Sequence, residues 1–471
     1  MHMPKEELIA VLSRFNPWWN DTRIPDLPSW RRSAFHELNA WLLNPPTHRA
    51  IMLSGARQVG KTTLLLHAID ALLEQGVKPQ NIFYVTFDHP IFAHITLDEL
   101  LSIWRELEPK SDGPEYLFLD EAQFIPHIGT WVKHQVDFEK QRKIFFTGSA
   151  TPLVMTDQES GVGRWHTIHI SPLTFYEYLQ IKEIKLPSIP LIDSLEHTFE
   201  CSKTQLLKYA SATEALIGYF HEYLVRGGFP QTAVIESIPR LQQLLRDDII
   251  DKVLKRDMSA LFGVRRISEL EQIFIFLSMH NGGICDINTL CVNLGVSKPT
   301  AQNFIQLLQA THLIRRLPPY GHGKEILRAR YKIYLTDPAL APAILLKGKS
   351  ILEDPISIGA SVETAVLAHL HTPHARFSYW HGAKKKEVDF IMQLPGQIIP
   401  FEVKYQSSRT GRKDLLGLVE LLENKSINRG YVVTKSSKDI GPINDKIMRV
   451  PAALLCYWLG CPGFNDPAFG A

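Results

Sequence analysis

GARQVGKTT, residues 55–63, sets two glycines, a lysine and two hydroxyls at the spacing of a phosphate cradle, G-x-x-x-x-G-K-[ST]. The apolar run RAIMLSG (49–55) precedes it, and a helical pattern from Lys61 to about Glu74 follows. Backbone N–H groups of Gly55, Ala56, Arg57, Gln58, Val59, Gly60, Lys61, Thr62 and Thr63 would then surround phosphate oxygens at a helix N-terminus. Glycine at 55 and 60 permits close backbone approach. Lys61 would reach the β- and γ-phosphates of ATP, and Thr62 would hold Mg2+. YLFLDEAQ (116–123) brings Asp120 to the end of an apolar strand, as a second Mg2+ ligand. Glu121 is then placed to orient or deprotonate the attacking water. FFTGSA (145–150) ends another strand with Thr147 and Ser149, either of which could touch the γ-phosphate or the water. Arg164, in GVGRW (161–165), could serve as an arginine finger, in cis or into a neighbouring subunit.

A second set of acids lies near the C-terminus. In EVDFI (387–391) strand alternation puts Glu387 and Asp389 on one face, and in FEVKY (401–405) it pairs Glu402 with Lys404. A hairpin-like pairing brings Asp389 near Glu402 and Lys404. Upstream, SIGASVETAVLAHL (357–370) is a helix that can present Glu363. Glu363, Asp389 and Glu402 could hold a divalent metal, Mg2+ or Mn2+, through carboxylate oxygens. The metal would activate water, with Lys404 offsetting charge on an attacked phosphate. The string itself is weakly specific, because many solvated strands contain it.

These residues need particular elements to position them. Apolar strands at 49–55, 81–88, 115–121 and 143–150 alternate with helices, which implies a parallel α/β sheet. EIKLPSIPLIDSL (183–195) is punctuated by prolines as a linker or lid would be, and 203–315 is mostly helical. In residues 286–320 a helix (Ile287 to Leu294), a turn at Gly295, an N-cap at Ser297 and a second helix (Lys298 to Ala310) precede a strand. This is a helix-turn-helix with a wing, whose second helix could enter a major groove. Its exposed positions, Lys298, Gln302, Asn303, Gln306 and Gln309, carry little charge, so a protein-contact role stays open. Beyond it, strand patterns near 330–335, 376–382, 386–393, 397–405 and 429–434 are joined by a helix between Arg412 and Leu422.

The chain has 471 residues, enough for two to four domains, and its 45% apolar and 21% charged content is that of a globular protein. A net charge of +2 gives no overall field for nucleic acid. Basic residues do cluster in the second half, at Arg315-Arg316, Arg328 to Lys332, Lys384 to Lys386 and Arg409 to Lys413. The last two would suit a phosphate backbone beside the acids. Five scattered cysteines without a CxxC pair argue against a zinc site or a disulfide framework, and point to a cytoplasmic protein. There is no signal-peptide pattern and no apolar run of roughly 18 residues, so no membrane partner is expected.

NPWW (16–19), GARQVGKTT, LFLDEAQ, FFTGSA, the GR before SPLTFYEYL, and RGGFP (226–230) together resemble a family of prokaryotic AAA-type ATPases, over nearly the whole chain. The resemblance implies an α/β protein with a P-loop AAA-type core, a helical and winged-helix middle and a C-terminal α/β domain similar to the PD-(D/E)XK nuclease fold. The order helix, three strands, helix, strand around the second acid set also resembles that core. The family's ATP-site roles fall on Lys61, Thr62, Asp120 and Glu121, and Arg164 matches the GR position. The expected domains are an N-terminal arm (1–30), the ATPase core (31–182), a linker and helical segment (183–262), a winged helix (263–322) and a nuclease-like domain (323–471). The expected function is ATP hydrolysis that rearranges the winged-helix and nuclease-like domains on DNA, branched DNA being one candidate. An oligomeric ring would follow from Arg164 acting in trans. The alternatives are a signalling or defence ATPase with protein partners and an inactive nuclease-like domain, and a DNA-binding ATPase that does not cut.

Overall fold

The computed structural model describes residues 5–20, 23–92, 95–149, 163–321, 330–370, 375–382, 386–406, 412–462 and 464. Arg328, Lys384, Lys385 and Arg409, expected in basic clusters, lie outside these residues, as do Gly161 and Val162 of the GVGRW stretch. Among the described residues no helix is long and apolar enough to cross a membrane. The chain forms two units, Met1–Ile170 and Ser171–Ala471, with Leu261–Gly263 and Ala310–His312 grouping with the first.

The first unit is built as the strand–helix alternation predicts. Its elements are α1 (Lys5–Phe15), α2 (Ala34–Leu43), β1 (Ala50–Ser54), α3 (Lys61–Glu74), β2 (Ile82–Thr86), α4 (Leu97–Leu107), β3 (Glu115–Asp120), α5 (Ile128–Phe138), β4 (Arg142–Gly148) and β5 (Trp165–His169). The sheet order is β2-β3-β4-β1-β5, and every pairing is parallel. Near-continuous apolar strands such as AIMLS suit a sheet buried on both faces. NPWW covers the edge strand β2. Asn16 Nδ2 donates to Tyr84 O at 2.8 Å and its Oδ1 accepts from Tyr84 N at 2.7 Å, as a neighbouring strand would. The indoles of Trp18 and Trp19 both donate to Ile82 O, which fixes the N-terminal arm on its own sheet.

The first unit ends at Ile170. The helix α6 (Phe175–Ile181) packs in the second unit, because Phe175 and Tyr178 meet Phe220 and Tyr223 of α7 (Lys203–Arg226) edge-on at 5.2 and 5.5 Å. The proline-rich 183–195 segment is irregular backbone anchored at three apolar positions. Ile189, Ile192 and Leu195 are buried, and Trp458 Nε1 donates to Pro190 O at 2.9 Å. The RGGFP turn closes α7: Gly227 has φ 77°, and a Cβ there would fall 2.3 Å from Asp337 Oδ1. The Asp337 carboxylate accepts from Gly228 N (2.7 Å) and Ala339 N (2.9 Å), which ties the turn to the segment after residue 335.

The rest of the second unit contains α8 (Ile267–Met279), β6 (Ile284–Cys285), α9 (Ile287–Leu294), α10 (Lys298–Ala310), β7 (Ile314–Leu317), β8 (Tyr331–Leu335), α11 (Pro355–His369), β9 (Arg376–His381), β10 (Glu387–Leu394), β11 (Gln397–Lys404), α12 (Leu416–Asn424), β12 (Gly430–Thr434), β13 (Gly441–Asn444), β14 (Ile447–Pro451) and α13 (Ala452–Gly460). β6, β8 and β7 form an antiparallel three-stranded sheet. β8 was expected in the C-terminal domain; it pairs instead across the hairpin with β7, Ile314 opposite Leu335. A mixed six-stranded sheet follows, ordered β13-β14-β12-β11-β10-β9.

His369, at the end of α11, is buried, and its ring nitrogens face Phe175 N (2.6 Å) and Ala365 O (2.7 Å). Nδ1 must carry the proton for the carbonyl, so Nε2 accepts from the first amide of α6. Burial lowers the imidazole pKa to about 4. The neutral ring therefore stabilises the fold at and above its ordinary value of 6.5, and that contribution is lost as pH falls toward 4. The expected loss across that window is about 3 kcal/mol. Urea midpoints measured across it should fall more steeply for the wild type than for His369→Gln; equal slopes would contradict the assignment.

Candidate functional site

The loop between β1 and α3 holds its shape through local constraints. Gln58 and Gly60 take left-handed backbone angles, φ 60° and 94°. A Cβ on Gly55 would fall 2.1 Å from Ile170 O, where the chain leaving β5 crosses after Ile170 N bonds to Ser54 O at 2.7 Å. Only glycine fits there without a shift of backbone. Lys61 is 4% exposed, and its ammonium donates to Gly55 O (3.0 Å) and Ala56 O (2.7 Å), inside the loop it follows. Arg32, not anticipated as part of the site, braces the loop from outside by donating to Val59 O at 2.6 Å.

The strand order brings the other groups to this loop. β4 lies between β1 and β3, so the carboxyl ends of all three share one edge of the sheet. Asp120 ends β3 and is 2% exposed. Thr62 Oγ1 donates to its Oδ2 at 2.7 Å, and Thr147 Oγ1 to its Oδ1 at 2.5 Å. Tyr84, from β2, adds a third hydroxyl at 3.1 Å. Burial, then the neighbouring Glu121, raises the Asp120 pKa, while the threonine hydrogen bonds and Lys61 act the other way. Glu121 sits at φ 52°, its amide donating to Thr147 Oγ1 at 2.9 Å. Gln123 Nε2 donates both to the Glu121 carboxylate and to Ser149 Oγ. A hydroxyl and a carboxylate oxygen in contact beside a glycine loop are hard donors that fit Mg2+. Thr62 and Asp120 are therefore the residues that would hold it. Tyr84 and Gln123 escaped the sequence reading; the Q of LFLDEAQ was the available signal for the second.

Arg164 is not brought to this edge. Ala50 N donates to Arg164 O, which places the arginine at the opposite end of β1, about 16 Å of strand from the loop. Its guanidinium pairs with Asp137 at 3.1 and 3.2 Å. A finger acting in cis is corrected by this placement, because both flanking strands are parallel and point away from it.

The C-terminal acids do come together, with a partner the sequence reading had assigned to a basic surface. β10 and β11 pair with Phe390 opposite Phe401, which brings the Asp389 end of β10 beside the Glu402 end of β11. The β9–β10 register shifts between Val388 and Ile391, so Asp389 lies at a bulge. Lys332 of β8 is 3% exposed, and its ammonium stands 2.6 Å from Glu387 Oε1, 2.8 Å from Asp389 Oδ1 and 3.8 Å from Glu363 Oε2. Tyr334, two residues on and on the same strand face, donates to Glu363 Oε2 at 2.8 Å. Asp389 Oδ2 accepts from Val403 N at 2.9 Å. Lys404 bonds to Glu402 Oε1 at 2.5 Å, while Glu402 Oε2 is buried with no hydrogen-bond partner. Burial, then the charge of Asp389, raises Glu363 and Glu402 to about 8. Burial opposes ionisation of Asp389 too, but Lys332 and Lys404 outweigh it and hold that carboxyl below its ordinary value.

Glu363, Asp389 and Glu402 were expected to ligate a divalent metal. Among the described residues no group of three or more His, Cys, Asp or Glu side chains is arranged to hold one. The physical reason is the ammonium of Lys332, which already supplies the positive charge between the carboxylates. Lys386, expected as a basic flank, is ion-paired with Glu420.

The parallel sheet, the glycine loop and the Thr62–Asp120 contact form an α/β core of P-loop type. Residues 47–179 match the family described as AAA domain, while 217–350 and 358–455 match two families described as domain of unknown function, DUF8612 and DUF4143. The chain thus carries an AAA ATPase domain followed by two further family domains. It is similar to an uncharacterized protein of Haemophilus influenzae, 25% identical over 374 residues covering 75% of this chain and 82% of that one. It is also similar to an uncharacterized protein of Mycobacterium tuberculosis, 27% identical over 417 residues covering 86% and 81%. Among solved structures it is similar to the Thermotoga maritima RuvB Holliday junction branch migration motor (17% identity, 60% of this chain and 87% of that one, TM-score 0.28). A second is AMPPCP-bound DnaA from Aquifex aeolicus (15% identity, 61% and 93%, TM-score 0.27).

Proposed function

We propose that the chain hydrolyses ATP in its first unit and uses the turnover to rearrange a second unit that binds DNA without cutting it. Lys61 would neutralise the β- and γ-phosphates, and Glu121, oriented by Gln123, would position the attacking water. Bound Mg2+ would neutralise charge on the phosphates. Thr62 and Asp120 present the oxygens that hold it.

The observation that carries the DNA reading is the cleft between α10 and the β7–β8 strands, about 670 Å³ in volume. Lys298, Gln302 and Gln306 line one wall, and Arg316 and Arg330 the other. The Arg316 guanidinium lies over the Tyr331 ring at 4.2 Å, and Arg330 pairs with Asp286 at 2.9 Å. The order helix, strand, helix, helix, strand, strand, with its antiparallel β6-β8-β7 sheet, supports reading this segment as a winged helix. Gly295 at φ 66° makes the turn, and Ser297 Oγ accepts from Thr300 N to start α10. Amide side chains on a helix flanked by arginines suit base edges beside phosphates. Residues 322–329, between β7 and β8 in sequence, lie outside the described residues.

Fluorescence anisotropy with a labelled duplex, over a salt series, tests this. Binding should weaken in Lys298→Ala/Arg316→Ala, and the salt slope should fall by about two. Binding unaffected by the pair would move DNA away from this cleft; no binding at all would favour a switch that acts on protein partners.

A further inference from the structure

We propose that Lys332 is the resident cation of the C-terminal carboxylate cluster, closing it to divalent metal, and that removing its ammonium creates a divalent-cation site on Glu363, Glu387 and Asp389. The cluster holds four carboxylates and two ammonium groups, and the two lysines divide the work. Lys404 serves Glu402. Lys332 stands within ion-pair distance of the other three, and an ammonium has three N–H donors to offer them. It reaches them from β8, whereas the carboxylates come from α11 and β10, so the positive charge is delivered from a separate sheet.

The site has the marks of a place built for positive charge. Glu387 Oε1 and Asp389 Oδ1 stand 2.6 and 2.8 Å from one ammonium, and carboxylates held that close repel unless a cation intervenes. The buried Glu402 Oε2 still lacks a hydrogen-bond partner, so oxygen ligands remain in excess. Oxygen-rich sites of this kind suit Mg2+ or Mn2+ once a competing charge is gone. With Lys332 buried between them, a divalent ion would be placed within a few ångströms of a fixed positive charge, and the repulsion there is strong. Pairing through Tyr320 N and Tyr379 O, at 2.6 Å, also joins the β7 chain to β9, so the two sheets keep contact without Lys332.

The test uses the full chain without nucleotide and Mn2+ as the probe, followed by calorimetric titration and by the electron paramagnetic resonance of free Mn2+. The wild type and Asp389→Asn should give the same isotherm. Lys332→Met, which keeps the stem and loses the charge, should bind one more Mn2+ per chain, roughly tenfold or more tighter than the wild type does at this cluster. Lys332→Met/Asp389→Asn should lose that ion. A wild-type Mn2+ site that disappears in Asp389→Asn would overturn the proposal, and so would a folded Lys332→Met with no added ion. Should Lys332→Met fail to fold, the comparison of wild type with Asp389→Asn decides alone.

Discussion

Lys61→Ala should lower steady-state ATP turnover by roughly a hundredfold or more. The ammonium lies within the loop, bonded to Gly55 O and Ala56 O, at the start of α3 where phosphate oxygens would meet the helix N-terminus. Removing it deletes the ammonium that donates to the loop's own Gly55 and Ala56 carbonyls, while the strand and helix around it should stay in place. Lys61→Arg should fare little better, because a planar guanidinium does not fit the space of a compact ammonium. Phosphate release, measured beside circular dichroism to show intact folding, checks the effect. Turnover within about threefold of wild type would place the chemistry elsewhere.

Asp389→Ala should destabilise the second unit by roughly 3–5 kcal/mol, the cost of stranding a buried charge. Lys332 has almost no exposure, and Asp389 gives it a 2.8 Å partner. The same carboxylate accepts the Val403 amide, so truncation also leaves a backbone donor without its acceptor. Asp389→Asn should cost less, since the amide oxygen can keep one of these bonds. Urea unfolding of the two variants beside the wild type measures the difference; an alanine variant within about 0.5 kcal/mol of wild type would show that the cluster is solvated and loosely held. One consequence concerns assays: an activity lost in Asp389→Ala is not by itself a sign of catalysis, because the variant removes the charge balance of a packed interior.

The nucleotide loop was legible because its signal is local. Nine consecutive residues, an apolar strand before and a helical pattern after, contain the whole argument. Asp120 was legible for a similar reason, as the polar end of an apolar strand. The strand order that brings Thr147 to it is not local and emerged only from the sheet. Lys332 shows the opposite case. In RARYKIYL it looks like one more basic residue, and its partners lie 31, 55 and 57 positions further along the chain, at 363, 387 and 389. A faint signal was present, since Lys332 and Tyr334 alternate with Tyr331, Ile333 and Leu335 and so face one side together. At 183–195 the prolines mark irregular backbone and say nothing of burial; Ile189, Ile192 and Leu195 supply the apolar surface that anchors it. For Arg164 only the in-cis reading misled, because the parallel pairing of β5 with β1 fixes it at the end of the sheet away from the loop.

The central claim is that ATP turnover in the first unit is coupled to DNA held by the second. Steady-state phosphate release by the full chain with Mg2+, with and without duplex DNA at low salt, tests it most directly, with Lys61→Ala as the blank. The account predicts turnover that rises several-fold with DNA, and a rise that disappears in Lys298→Ala/Arg316→Ala while the basal rate stays. Turnover indifferent to DNA at every salt concentration would contradict it.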